Sequence, residues 1–182
     1  MHTNTLKLIL SYQDRRPNPS AHDAGRTLDN LFTRLTTSGP LEGDTIESAI
    51  WETWMSHDDP FAKQLLETAV DHIVMENFDE AEAMLNELVR ANPDFAEAWN
   101  KRATLYYLLQ RDQESIADID RVLDLEPRHF GAMCHFAQIC LAKGDNETAL
   151  YALDTALRLN PHLDDARATA RRLVRTAKRT LQ

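Results

Sequence analysis

His129, Cys134, His135 and Cys140 bring both thiols of the chain and two of its seven imidazoles within twelve residues. Thiolate sulfur and imidazole nitrogen are what a tetrahedral zinc site uses. Their spacing argues against one. Cys134 and His135 are adjacent, so on a helix they diverge by about 100°, and Cys140 falls in a column of residues expected to be buried. Six residues apart on one helix, the two thiols face different ways, so no mutual disulfide is expected. Two unpaired thiols suit a reducing compartment. No phosphate loop, nucleophile elbow or zinc-ligand spacing occurs elsewhere. The carboxylates are spread over outer faces, with none set for acid–base work. The expectation is a non-enzymatic protein with no cofactor and no metal.

The other chemistry on offer is charge. Residues 164–182, DDARATARRLVRTAKRTLQ, carry Arg167, Arg171, Arg172, Arg175, Lys178 and Arg179 against two aspartates, for a net +4. The whole chain is −9, so the remainder is −13. An acidic body disfavours nucleic acid and anionic membranes, which require positive potential. The cations share their segment with an apolar stripe, Ala166, Ala170, Leu173, Val174, Ala177 and Leu181. That pattern describes an amphipathic end helix whose cations suit its C-terminus. A basic surface for an acidic protein, RNA or lipid is the sharper alternative, and partial neutralisation of the acidic body is a third.

The elements that position these groups follow from a repeat. NPDFAEAW at 92, EPRHFGAM at 126 and NPHLDDAR at 160 recur at intervals of 34 residues. The same step links Pro93, Pro127 and Pro161; Ala69, Ala103 and Ala137; Ala81, Ser115 and Ala149. It also links Leu85, Ile119 and Leu153; Leu88, Val122 and Ala156; Ala91, Leu125 and Leu159. Small columns allow two helices to approach closely, and aliphatics three or four apart share a helical face. Proline ends the second helix of each unit, and Asn92 and Asn160 before it tolerate a left-handed helix end. NFDE at 77, RDQE at 111 and GDNE at 144 divide each unit, with Asp or Asn placed to cap the second helix. First helices are expected over 62–75, 96–109 and 130–143, second helices over 79–91, 113–125 and 147–159. One helix pair cannot bury its apolar face alone, so neighbouring units stack.

Period 34, with small residues at the eighth and twentieth places and proline at the 32nd, resembles the tetratricopeptide repeat. Trp99 and Tyr106 stand at its aromatic fourth and eleventh places. His72 and Cys140 depart from it at the eleventh, and Thr68, Arg102 and Phe136 at the seventh. AEAWNKRATLYY and LEPRHFGA resemble a group of small bacterial tetratricopeptide proteins of unassigned role. The resemblance implies an all-α superhelix, an α-solenoid, with repeats over 62–95, 96–129 and 130–163. It also implies a concave groove lined by first helices. The residues it places there are Lys63, Leu66, Val70, Ile73 and Val74, then Glu97, Asn100, Thr104, Tyr107 and Leu108, then Gly131, Cys134, Gln138, Leu141 and Ala142. Asn100 offers a donor and an acceptor to an extended backbone. Tyr107 offers a rigid amphipathic contact. The carboxylate clamp of some family members maps to Leu66, Val70, Lys101, Gly131 and His135. Four of these five depart from it, so a clamp is not expected, although Lys101 matches. Arg102, at an inter-helix column, is expected to pack its stem or cap a neighbour.

Around the repeats, residues 1–24 read as a flexible arm. Residues 25–61 read as a degenerate helix pair covering the N-terminal face of the first repeat, with Trp51 and Trp54 packed in a core rather than forming a partner-binding hot spot. Residues 164–182 read as the capping helix. No run approaches the ~18 apolar residues of a membrane span. The N-terminus lacks a signal-peptide pattern, so a cytoplasmic protein is expected. The periplasm is the alternative, since some similar proteins carry export signals. The functional expectation is a scaffold or adaptor that binds a peptide or helical segment of a protein partner in the groove, unless the N-terminal segment fills it. An electrostatic adaptor using the basic helix and a self-assembling homo-oligomer are the alternatives.

Overall fold

A computed structural model describes Ile9 and residues 23–180, with helix side chains described from 27 to 177. The expected flexible arm lies almost wholly outside the described residues, as do the side chains of Lys178 and Arg179. Among the described residues the regular structure is helical: α1 Asp23–Leu35, α2 Pro40–Met55, α3 Pro60–Val74, α4 Phe78–Ala91, α5 Ala96–Leu108, α6 Asp112–Leu125, α7 Phe130–Ala142, α8 Asn146–Leu159 and α9 Asp164–Thr180. From α3 to α8 these helices begin and end within two residues of the expected spans. The described residues fall into two compact units, Trp51–Pro127 and a second formed by residues up to Ile50 together with those from Arg128.

In the unit Trp51–Pro127, α3 packs on α4, α4 on α5 and α5 on α6. Ala62, Leu66, Ala69, Ala81, Leu85, Leu88, Val89, Phe95, Ala98 and Leu105 form its core, with Met55, Leu65 and Ile73 against them. The small columns behave as their spacing requires: Ala69, Ala81, Ala103 and Ser115 are all fully buried. A larger side chain there would hold the paired helices apart. Ser115 adds a hydrogen bond, its Oγ donating to the Ala103 carbonyl at 2.8 Å. The last aliphatic column is looser, since Ala91 is exposed and Leu125 half-buried.

Cations and aromatic rings alternate along one side of α5. Arg121 lies 5.9 Å from the Trp99 ring, Arg102 4.8 Å from Trp99 and 5.5 Å from Tyr106, and Arg111 4.3 Å from Tyr106. Each guanidinium faces the electron-rich surface of a ring. Arg102 also donates to both oxygens of Asp118 on α6 and to Asn86 Oδ1 on α4. It therefore ties three helices together, more than the packed stem or cap expected of it.

The turns inside the repeats differ from expectation. The left-handed residues are Glu76, Gln110 and Gly144, with φ of 59°, 59° and 76°, and they too are 34 apart. Asn92 and Asn160 have φ of −126° and −129°, outside that region. The left-handed residue lets the next amide reach back: Asn77 N to His72 O at 2.9 Å, Arg111 N to Tyr106 O at 2.8 Å, and Asp145 N to Cys140 O at 2.9 Å. These bonds satisfy carbonyls that the end of a first helix would leave open. Of the turn residues expected to cap second helices, Asp145 does so, accepting from Thr148 N at 3.1 Å. The Asn77 side chain makes no cap and lies 3.4 Å from His72 Nδ1.

In the second unit α7 packs on α8 and α8 on α9. Ala137, Ala149, Phe136, Ile139 and Ala156 are fully buried. The N-terminal helices up to Ile50 belong to this unit. Phe32 meets Phe130 edge-on at 6.2 Å, and the Arg128 guanidinium, 4.8 Å from the Phe32 ring, donates to Asp29 at 2.6 Å. Asn160, fully buried, donates to Glu47 Oε2 at 2.7 Å and accepts from His162 N at 3.0 Å. The His162 ring packs against Gly43, with Nε2 3.2 Å from both the Leu35 carbonyl and Ser38 Oγ. From Trp51 onward α2 belongs to the other unit. There Trp51 and Trp54 stack edge-on at 5.1 Å, and Trp54 is buried.

Candidate interaction surface

The exposed face of the first helices in the unit Trp51–Pro127 is assembled by α3 and α5, which pack side by side. The expected groove residues divide sharply across it. Leu66 is fully buried in the core, and Val70 and Ile73 are half-buried. Lys63 is exposed and pairs with Glu67 at 3.8 Å. Val74 and Leu108, which occupy the same place in adjacent repeats, are 77% and 49% exposed.

Asn100 and Lys101 are engaged by a residue of their own helix. Glu97 is fully buried; it accepts from Asn100 Nδ2 at 3.1 and 3.2 Å and from Lys101 Nζ at 2.8 Å. Lys101 Nζ also stands 5.5 Å from the Trp51 ring. A buried carboxylate requires this neutralisation, because an unpaired one would carry a heavy desolvation cost. Glu97, Asn100 and Lys101 are spaced i, i+3 and i+4, a pattern readable in the sequence, but nothing in the sequence marked Glu97 as buried. Thr104 Oγ1 donates to the Asn100 carbonyl at 3.0 Å, and Tyr107 is half-buried.

In the second unit, Gln138 is exposed and borders an open cleft of about 420 Å³ with Cys134, Leu141, Glu47, His162 and Asp164. Cys134 is thus walled by the N-terminal helix that carries Glu47. Burial, aided by the Glu47 charge, pushes its thiol up to about 12. Burial, with Asp145 adding, pushes Cys140 up to about 11. Both thiols are free, and neither is a thiolate near neutral pH, as metal binding or nucleophilic attack requires. His129 uses Nδ1 to accept from Ala132 N at 3.1 Å, capping α7. Among the described residues no group of three His, Cys, Asp or Glu side chains is arranged to hold a metal ion. None of the helices among them is long and apolar enough to cross a membrane.

On α9, Arg167 pairs with Asp164 at 2.6 Å, while Arg171, Arg172 and Arg175 are exposed. Arg167, Arg171, Ala170, Val174 and Arg175 border a groove of about 470 Å³ whose other wall is Leu150, Asp154 and Leu157 on α8.

The comparisons with known proteins agree with this architecture. The family model described as tetratricopeptide repeat matches residues 66–128. A TPR repeat-containing protein of Rhizobium etli is 33% identical over 135 residues, which cover 74% of this chain and 66% of that protein. The chain therefore spans about two thirds of that relative's length. Among solved structures, the first TPR of Spaghetti (RPAP3) bound to the HSP90 peptide SRMEEVD superposes with a TM-score of 0.60 at 20% identity, covering 64% of this chain and 93% of that one. The Sgt2 TPR domain from Aspergillus fumigatus gives 0.61 at 13% identity, covering 69% and 84%. At such identities these two similarities establish the fold alone.

Proposed function

The chain is a tetratricopeptide-repeat protein of the all-α solenoid class, and we propose that it is a non-enzymatic adaptor that holds a peptide or helical segment of a partner protein against α3 and α5. Tetratricopeptide repeats are a protein-interaction fold. The docking surface in this reading is Val70, Val74, Thr104, Tyr107 and Leu108. The observation that carries it is the matched exposure of Val74 and Leu108 at one repeat position. Branched aliphatics left in water twice at the same place do nothing for folding, and rows of such residues anchor helices and extended peptides. Asn100 and Lys101 serve this surface indirectly: tied to Glu97, they hold α5 rigid and leave contact to their neighbours. The setting in this reading is the cytoplasm, which two free thiols suit.

The test is affinity purification from the native organism with the parent protein, Tyr107→Ala and Leu108→Asp, each checked for unchanged helicity. Loss of a shared partner from both variants is expected. Retention of every partner by both would overturn the assignment.

A further inference from the structure

Two uncovered surfaces of this chain are complementary in charge, and neither takes part in the surface just described. The first is the groove between α8 and α9. Its floor is Leu150, Leu157, Ala170 and Val174, and Arg171 and Arg175 stand exposed one turn apart on its rim. In stacked helix pairs such a groove is where a further helix would lie. The second is the outer stripe of α3. Phe61, Leu65, Thr68, His72 and Met75, the last just past the helix end, follow one another at steps of four and three and so share one face; Leu65 on it packs inward against the core, and Phe61 and Met75 are its uncovered members. Phe61 and Met75 are 66% and 68% exposed. Glu67 and Asp71, both exposed, flank this stripe on the side away from the core.

We infer that the α8–α9 groove receives the α3 helix of a second copy of this chain, so that copies associate head to tail. Phe61 and Met75 would bury in the apolar floor while Glu67 and Asp71 face Arg171 and Arg175. The wider charge distribution favours the same occupant. The unit Trp51–Pro127 carries 18 acidic residues against 6 Lys and Arg, whereas the segment from 164 is +4. An acidic α3 surface is therefore drawn toward a basic α9. The same balance disfavours an anionic membrane or RNA on α9, because the acidic remainder of the chain would be repelled. Two different patches make a heterologous contact, which leaves a free patch at each end and permits association to continue beyond a dimer.

The experiment measures mass against concentration by sedimentation velocity, from micromolar to submillimolar, for the full chain. Parent protein is expected to show a rising average mass, suppressed when salt is raised from about 0.05 M to about 0.5 M. Arg171→Glu with Arg175→Glu, and separately Glu67→Arg with Asp71→Arg, should each weaken association at least about tenfold, while circular dichroism stays unchanged. Mixing the two double variants should restore a complex, since each supplies the charges that the other requires. Tyr107→Ala should associate like the parent, which separates this surface from the proposed peptide surface. A parent that stays monomeric throughout, or a mixture that fails to recover the complex, would overturn the inference. So would a monomer whose groove instead captures an acidic helix of another protein.

Discussion

Arg102 and Asp118 meet through two parallel hydrogen bonds, Nε to Oδ2 and Nη2 to Oδ1, each 2.8 Å long. Burial pushes the Asp118 carboxyl up, against the pull of the guanidinium. For Arg102, burial pulls its value down, and the Asp118 hydrogen bond and charge more than reverse that. The guanidinium also lies against Trp99 and Tyr106 and donates to Asn86. One side chain thus joins the second helix of the first repeat to both helices of the second.

Removing that fork strands a largely buried carboxylate. Arg102→Ala is expected to cost about 3 kcal/mol of unfolding free energy. Arg102→Lys should recover only part of the loss, because an ammonium cannot make the parallel pair. Urea denaturation of the three proteins checks this, and a loss below about 1 kcal/mol for Arg102→Ala would mean that the pair is merely a surface ion pair.

The left-handed residues offer a test of opposite sign. Glu76 and Gln110 hold φ of 59°, where a side chain is strained. Gly144 already fills the equivalent place in the third repeat. Glu76→Gly and Gln110→Gly should each stabilise the protein by about 0.5–1 kcal/mol despite the added entropy of glycine in the unfolded chain. Gly144→Ala should destabilise by a similar amount. Thermal melts of the single and double variants report the signs.

Acid should release the Arg111 clamp. Arg111 donates to Glu114 and to Glu82, and its hydrogen bond holds the Glu114 carboxyl below the usual carboxylate range. A depressed folded-state value means that the contribution is present above the unfolded value, about pH 4.3, and is lost as pH falls through the lower one. The stability gap between parent and Glu114→Gln is therefore expected to close on acidification below about pH 4. A gap that is flat from pH 7 to pH 3 would contradict this assignment.

The two thiols, Cys134 and Cys140, give a readout of packing in the second unit. With Cys134 pushed up to about 12 and Cys140 to about 11, almost no thiolate exists at pH 8. Native protein should react slowly with a disulfide reagent at that pH, and both thiols should react promptly once unfolded. A prompt native reaction would show that Cys134 opens readily to solvent.

A β-carbon at Gly43 would come within 2.4 Å of the His162 ring, which the Leu35 carbonyl and Ser38 hold in place. Gly43→Ala is expected to loosen α1 and α2 from α7–α9, at a cost of about 1–3 kcal/mol. Hydrogen exchange should rise first in residues 23–50. Protection equal to the parent's would show that the histidine has somewhere to go.

The repeat and its core were legible in the sequence because their cause is local and periodic. Ala69, Ala81, Leu85 and Leu88 bury one face of each helix, and copies 34 residues on repeat the requirement. Helix spans and small columns follow from such short-range geometry. The tertiary structure decided what depends on partners without a period. Asn100 and Lys101 looked available until Glu97 proved to be buried beneath them. Asp29 to Arg128 and Glu47 to Asn160 are separated by 99 and 113 residues, and they tie the N-terminal helices into the unit that begins at Arg128. The left-handed turns also lie in this class. Glutamate and glutamine do not advertise a positive φ, and only the carbonyls at the ends of the first helices show why the chain adopts it.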